Sequence, residues 1–314
     1  MPYNAQWPQD FRIEASNLRA LLGDEVVAIH HIGSTAVPGL AAKQDIDMIL
    51  VVKHLDAARC LQDSGYLFKG EINIPLRTFF SKNSPERKIN LHVCEKNHNF
   101  ISLNLCFRDW LRQHDEDRIA YQTLKQTLVK NPDSHIKIGT RLVNYSLQKN
   151  AFIKKILEKA GHTDAMVNFC LHHEEWIFAQ KMRQQYQLPT LADAQQLNAL
   201  ENKSHHHFIV YEHASMMAYA HVERLSSQHA LLHGVWTPSL MTQAQYVTKL
   251  LQTLEPWLCR QGIHRLEATT TQHTQAALIA CGFAPIDHCN AVHDQDASSC
   301  SNKIMQMFKC IRPT

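Results

Sequence analysis

The run Ile46-Asp47-Met48-Ile49-Leu50-Val51-Val52 is apolar throughout except for one acid. So apolar a segment fits a strand buried on both faces. A carboxylate inside such a strand is costly unless a cation or several donors partner it. The strand follows His31-Ile32-Gly33-Ser34, with ten residues between Ser34 and Asp45. Asp45 and Asp47 stand one residue apart on a strand, so their side chains point the same way. Together they can hold a hard cation such as Mg²⁺, which bridges nucleotide phosphates. The small Gly33-Ser34 turn lets backbone N–H groups approach a phosphate, and Ser34 adds a hydroxyl. Lys43, Arg77 and His92 are candidate partners of Asp47. Lys43 and Arg77 suit a phosphate or acidic substrate, or are surface charges. The plainer alternatives are that Gly33 is a turn residue and Asp45 a solvated strand end.

The longer run His31-Ile32-Gly33-Ser34-Thr35-Ala36-Val37-Pro38-Gly39-Leu40-Ala41-Ala42-Lys43 resembles the GrpB family, within the nucleotidyltransferase superfamily's fold. Leu91-His92-Val93 and Phe107-Arg108-Asp109-Trp110-Leu111-Arg112 extend the resemblance over roughly residues 8–160. It implies a nucleotidyltransferase-like mixed sheet with helices, and a nucleotide or phosphorylated small molecule held at Gly33, Ser34, Lys43 and Arg77. Asp45, Asp47 and His92 are then the catalytic candidates, with the two aspartates on the metal. The resemblance also implies a third carboxylate on the strand 88–94, which carries Asn90 and His92 instead. That substitution argues against polymerase-like chemistry and leaves nucleotide binding, or an altered metal site, open.

The elements read as a helix over 8–22, strands at 25–32 and 46–52, and a helix near 54–63. Strands follow at 76–81 and 88–94, then helices near 98–113, 115–130 and 139–160. Gly161 to Thr163 is the candidate boundary between domains 1–161 and 162–314, in line with 314 residues at about 100–200 per domain. Beyond it come a helix with Val167, Cys170, Leu171, Ile177, Phe178 and Met182 on one side, and a shorter helix at 190–201. Strands at 207–212, 216–224 and 229–236 precede a helix over 241–261. A strand at 264–269, a helix at 273–281, a strand at 283–288, a loop at 289–301 and a strand at 303–311 complete the chain.

The order strand, strand, strand, long helix, strand, helix, strand resembles the core of the Gcn5-related N-acetyltransferase (GNAT) fold. The resemblance is carried by Met217-Ala218-Tyr219-Ala220-His221-Val222, Leu232-His233-Gly234-Val235-Trp236-Thr237-Pro238 and Ala277-Leu278-Ile279-Ala280-Cys281-Gly282-Phe283. The second stretch looks like that family's splayed fourth strand. The fold class is therefore α+β, a nucleotidyltransferase-like mixed sheet followed by a GNAT-like mixed sheet. The resemblance implies acetyl-CoA held by Val235, Thr237, Thr242, Ala244 and Tyr246, with its pyrophosphate on N–H groups at a helix N-terminus. It implies Glu223 and His221 as base candidates. The family's Gln/Arg-x-x-Gly-x-Gly/Ala loop stands here as Met241-Thr242-Gln243-Ala244-Gln245-Tyr246, and its later tyrosine aligns with Leu278. A catalytically degenerate binding or regulatory protein is the alternative to a two-domain transferase.

The remaining signals bound the partners. A net charge of +3, with no stripe of interleaved aromatic and basic residues, gives no footprint for nucleic acid. No apolar run approaches the roughly 20 residues of a membrane span, and the first residues lack a basic start before an apolar core, so a cytoplasmic protein is expected. The nine cysteines are scattered without a C-x-x-C pair and read as reduced thiols. His205-His206-His207 alternates faces, and His288, Cys289, His293 and Cys300 match no standard zinc spacing. His172-His173-Glu174-Glu175 reads as a solvated helical face. Oligomeric state is not legible in the sequence.

Overall fold

The structure, a computed structural model, describes residues 1–84, 87–135, 137–138, 141–142, 145, 148–189, 204–270, 272–286 and 305–311. The chain divides into two compact units, Met1–Met166 with Glu212–Ser215, and Val167–Tyr211 with Met216–Thr314.

In the first unit, α1 (Trp7–Leu22) has a proline in its first turn, where a missing N–H costs nothing. Ala15, Leu18 and Leu22 bury one face of it. Then come β1 (Val26–Ile32), a 3-10 turn at Ser34–Ala36, and β2 (Ile46–Val52). The segment expected as a helix near 54–63 is a 3-10 helix, Leu55–Ser64. Its buried residues Leu55, Ala58 and Leu61 recur at every third position, which matches three residues per turn. The sheet is completed by β3 (Leu67–Phe68), β4 (Arg77–Asn83) and β5 (Lys88–Glu95), in the order β1-β2-β5-β4-β3. Only β2 and β5 run parallel among the pairs of this mixed sheet.

Alternation along β2 assigns its two faces. Ile46, Met48, Leu50 and Val52 pack with Trp7, Leu18 and Leu22. Ile49 and Val51 pack with Ile32, Cys94 and Phe100 on the other face, to which Asp47 also belongs by alternation. That second face is covered by α2 (Asn99–Gln113), followed by α3 (Asp115–Lys130). The expected helix 139–160 is shorter: β6 (Lys137–Ile138) pairs with β7 (Arg141–Leu142), and α4 spans Asn150–Lys159.

The second sheet has the order β13-β14-β12-β11-β10-β9-β8. Its strands are β8 (Ala165–Phe169), β9 (His205–Glu212), β10 (Ser215–Arg224), β11 (His229–Trp236), β12 (Arg265–Thr270), β13 (Ala284–Pro285) and β14 (Met305–Cys310). The helix expected to begin before Val167 is instead β8 followed by α5 (His173–Gln185). Ala165 and Val167 are buried at strand spacing, and the buried stripe of α5 is Trp176, Ala179 and Met182, with Ile177 outward. Glu175 is buried, not solvated: it accepts from the Leu171 and His172 N–H groups and from the Tyr211 hydroxyl. On one face, α5 packs against Ile209, Tyr219 and Trp236. Phe208, on the opposite side of β9, meets Trp257 of α6 (Gln243–Arg260). Leu250, Leu251 and Leu254 of α6 are fully buried, each contributing roughly 1.5–3 kcal/mol. The helix α7 (Gln272–Ala280) precedes β13. Residues 190–201, the loop 289–301, and His288, Cys289, His293 and Cys300 lie outside the described residues. Among the described residues no helix is long and apolar enough to cross a membrane.

Candidate functional site

Gly33 ends β1 with φ 69° and ψ −169°, a conformation open essentially to glycine alone. A β-carbon there would lie 2.9 Å from Cγ of Asp47, so the carboxylate rests directly against the glycine backbone. Asp47 Oδ1 accepts from Asn90 Nδ2 at 2.9 Å, and the two residues are paired in register across β2 and β5. Asn90, on the strand where the resemblance implies a third acid, therefore holds Asp47 in place. Burial pushes the Asp47 carboxyl up to about 6, against the Asn90 bond and with a further push from Asp45. The Asp45 carbonyl accepts from Thr35 Oγ1. The Asn90 Oδ1 atom is buried with no hydrogen-bond partner.

Ser34 opens the turn, and its Oγ accepts from Lys125 Nζ at 2.9 Å. Lys125 also donates to the Ala41 carbonyl at 2.8 Å and lies over the Tyr121 ring. Burial, then Lys149, brings the Lys125 ammonium down to about 8. Lys149 is lowered by burial and by Lys43, with Asp47 opposing. Lys43 itself is exposed. A cavity of about 150 Å³ opens beside the turn, lined by Ser34, Asn104, Arg108, Phe107 and Tyr121 among others.

The two motif stretches of this unit meet at the turn. Arg108 donates to the His31 carbonyl at 2.8 Å while gripping Asp109 with two further bonds, and Arg112 donates to the Ala36 carbonyl at 2.9 Å. His31 Nε2 bonds Thr35 Oγ1, and its ring stacks on Phe11. Burial, then the two arginines, lowers its pKa to about 4, so it is neutral at pH 7. Arg77 and His92 are brought together with each other. Arg77 is buried and bonds His92 Nδ1 at 2.9 Å, the Glu71 carbonyl and Asn73 Oδ1. The His92 ring packs between Phe79 and Phe100, and burial holds it neutral.

Among the described residues no group of three or more His, Cys, Asp or Glu side chains can hold a metal ion. Of the two carboxylates, Asp47 is bonded by Asn90 and feels the positive charge of Lys149. A carboxylate already held by a donor and facing a lysine is a poor ligand for a resident divalent cation.

In the second unit, β11 and β12 run parallel and pair from His229↔Arg265 to Leu232↔Ala268, although β11 continues to Trp236. The pair opens where β11 bulges: His221 faces Gly234 and Val222 faces Leu232, leaving His233 as the extra residue. Gly234 is needed there, since a β-carbon would meet the Trp236 ring at 2.9 Å. The bulge brings His233 Nε2 to 2.7 Å from Glu223 Oε2, both side chains about one-third exposed. His221 is sandwiched between His207 and His233, each ring centroid 4.4 Å away. It shares a bond with His205 at 3.1 Å, while His207 bonds the Tyr219 hydroxyl. Burial, then nearby positive groups, brings His207 down to about 3 and His221 lower still.

The other predicted contacts gather where β11 hands over to α6. Val235 and Thr237 are buried; Gln243 Nε2 donates to the Val235 carbonyl, and Thr237 and Thr242 both bond the Ser239 carbonyl. Ala244 is half-buried in the first turn of α6. Tyr246, expected to line the acetyl-CoA site, instead turns its ring into the core and is 1 % exposed. Gln243 Oε1 is buried with no partner, an acceptor that a ligand amide N–H would satisfy.

Two mixed sheets with helices define an α+β protein of two parts, a GrpB-type part and a GNAT acetyltransferase part. The family model "GrpB protein" matches residues 1–159, and "Acetyltransferase (GNAT) family" matches residues 170–283. The chain belongs to the GrpB family and carries a GNAT domain after it. It is 36 % identical to UPF0157 protein YqkA of Bacillus subtilis over 164 residues, 50 % of this chain and 46 % of that protein, so it spans about half the relative's length. It is 34 % identical over 173 residues to a UPF0157 protein of Halalkalibacterium halodurans, 52 % of this chain and 82 % of the relative. Among solved structures, GrpB of Enterococcus faecalis is 32 % identical with a TM-score of 0.45, covering 51 % of this chain and 95 % of that one. The ribosomal-protein-S18-alanine N-acetyltransferase of Escherichia coli is 15 % identical with a TM-score of 0.35, covering 48 % and 96 %.

Proposed function

We propose that residues 162–314 form an acetyl-CoA-dependent N-acyltransferase acting on an amine of a small molecule, with Glu223 and His233 as its base. The observation that carries this reading is the 2.7 Å Glu223–His233 pair at the bulge where β11 leaves β12. Val235, Thr237, Thr242 and Ala244 lie along the passage from β11 to the start of α6, whose first N–H groups suit a pyrophosphate. Acetyl-CoA, when bound, supplies the thioester carbonyl. Glu223 fixes Nε2 of His233, which leaves Nδ1 to take the proton from the attacking amine. His221, neutral and stacked beneath His233, positions that ring. The test is thiol release from acetyl-CoA against a panel of amines. Glu223→Gln and His233→Gln should each lower kcat by about 10²–10⁴ and leave acetyl-CoA affinity within a few-fold. Full activity in both variants, or no thiol release with any amine, would sink the reading.

For residues 1–161 the reading is a binding site for a nucleotide or phosphorylated small molecule at Gly33 and Ser34. Asn90, in place of a third acid, favours binding over nucleotidyl transfer. Titration of the whole chain with ATP tests it, and absence of binding in every buffer ends it.

A further inference from the structure

We infer that the Lys125 ammonium takes the place of a metal ion beside the Ser34 turn, making it a metal-independent site for a phosphate group. The inference rests on the reading of that turn as a phosphate site and concerns what supplies its positive charge.

Lys125 is held on neutral acceptors, Ser34 Oγ and the Ala41 carbonyl, and pairs with no carboxylate among the described residues. Those two bonds use two of its three N–H groups and leave one for a ligand. Lys149, packed over the Tyr145 ring, and exposed Lys43 are close enough for each charge to be felt by the next. Like charges brought together away from water are unfavourable until an anion joins them. The facing negative groups are Asp45 and Asp47, and Asp47 already has Asn90 as donor. A cation added there meets the lysines, whereas an anion at Ser34 meets the hydroxyl and the free ammonium N–H. The cavity of about 150 Å³ has the size of a single phosphate with a small organic group, and Leu103 and Phe107 give it an apolar wall. The ligand class is therefore a phosphomonoester whose phosphate sits on Ser34 and whose organic part lies against that wall.

The experiment is calorimetric titration of the full chain with phenyl phosphate and with ATP, once in EDTA and once in magnesium. Binding in EDTA, within about twofold of that in magnesium, is the expected result. Lys125→Met should weaken it by about tenfold or more, the scale of one charge-assisted bond. Lys125→Arg, which keeps the charge, should bind within a few-fold of the parent. Because Lys125→Met also removes the bond to Ala41, Lys149→Met is run beside it and should weaken binding without touching that carbonyl. Binding that appears only with magnesium overturns the inference while the phosphate reading stands. So does undiminished binding in both methionine variants. No binding of either probe in either buffer overturns the phosphate reading itself.

Discussion

Gly33 shows how much one position can carry. Its φ of 69° and ψ of −169° fall where side chains cost about 1–3 kcal/mol, and the space a β-carbon needs is filled by Asp47. Gly33→Ala should therefore lose at least that much stability in urea denaturation and displace Asp47 from Asn90. A variant as stable as the parent would mean that the turn relaxes freely. Lys125 offers a second test at the same scale. Its ammonium, brought down to about 8, discharges as pH rises through that value. ATP affinity should be level up to about pH 7 and fall up to tenfold per pH unit above about 8. In Lys125→Arg the guanidinium stays charged and the profile should stay flat. A parent profile that is flat to pH 9 would remove Lys125 from the binding step.

At the scale of elements, β9, β10 and β11 set His207, His221 and His233 into one stack across the sheet. His207 and His221 are neutral, with folded pKa values far below the 6.5 of an unfolded histidine. Below pH 6.5 the unfolded chain therefore takes up protons that the folded one refuses. The stability these residues provide is complete above 6.5 and is lost as pH falls. Between pH 6.5 and 5.5 the two together should remove about 2 kcal/mol, and more below. Hydrogen exchange of the peptide 205–236 reads this directly. Protection there should drop over that interval, and His207→Gln should flatten the drop. Protection independent of pH would show that the stack accepts protons without opening.

At the scale of the whole molecule, what was legible in the sequence follows from which rules are local. The strand β2, the Gly33-Ser34 turn and the end of the 3-10 helix at Gly65 are fixed by apolar pattern and backbone geometry, and both mixed sheets follow from motif order. The lysines of the first site are not local: Lys125 reaches Ser34 across 91 residues from a helix whose sequence marks only an acidic start. Glu175 reads as solvated because its partner Tyr211 stands 36 residues on. His233 becomes a partner of Glu223 only through a bulge, which shifts register without a sequence mark beyond Gly234. Two sites built from such distant contacts should answer to separate changes. A ligand at about 100 times its dissociation constant stabilises by roughly 2.7 kcal/mol, so acetyl-CoA and ATP should each shift thermal unfolding of the full chain. Ala244→Asp puts an acid in the first turn of α6, which favours the helix yet repels a pyrophosphate. It should abolish the acetyl-CoA shift and spare that of ATP, whereas Lys125→Met, at about tenfold weaker binding, should roughly halve the ATP shift and spare that of acetyl-CoA. Loss of both shifts in either variant would mean that one change disables the whole molecule, and the assignment of one ligand to each part would fall.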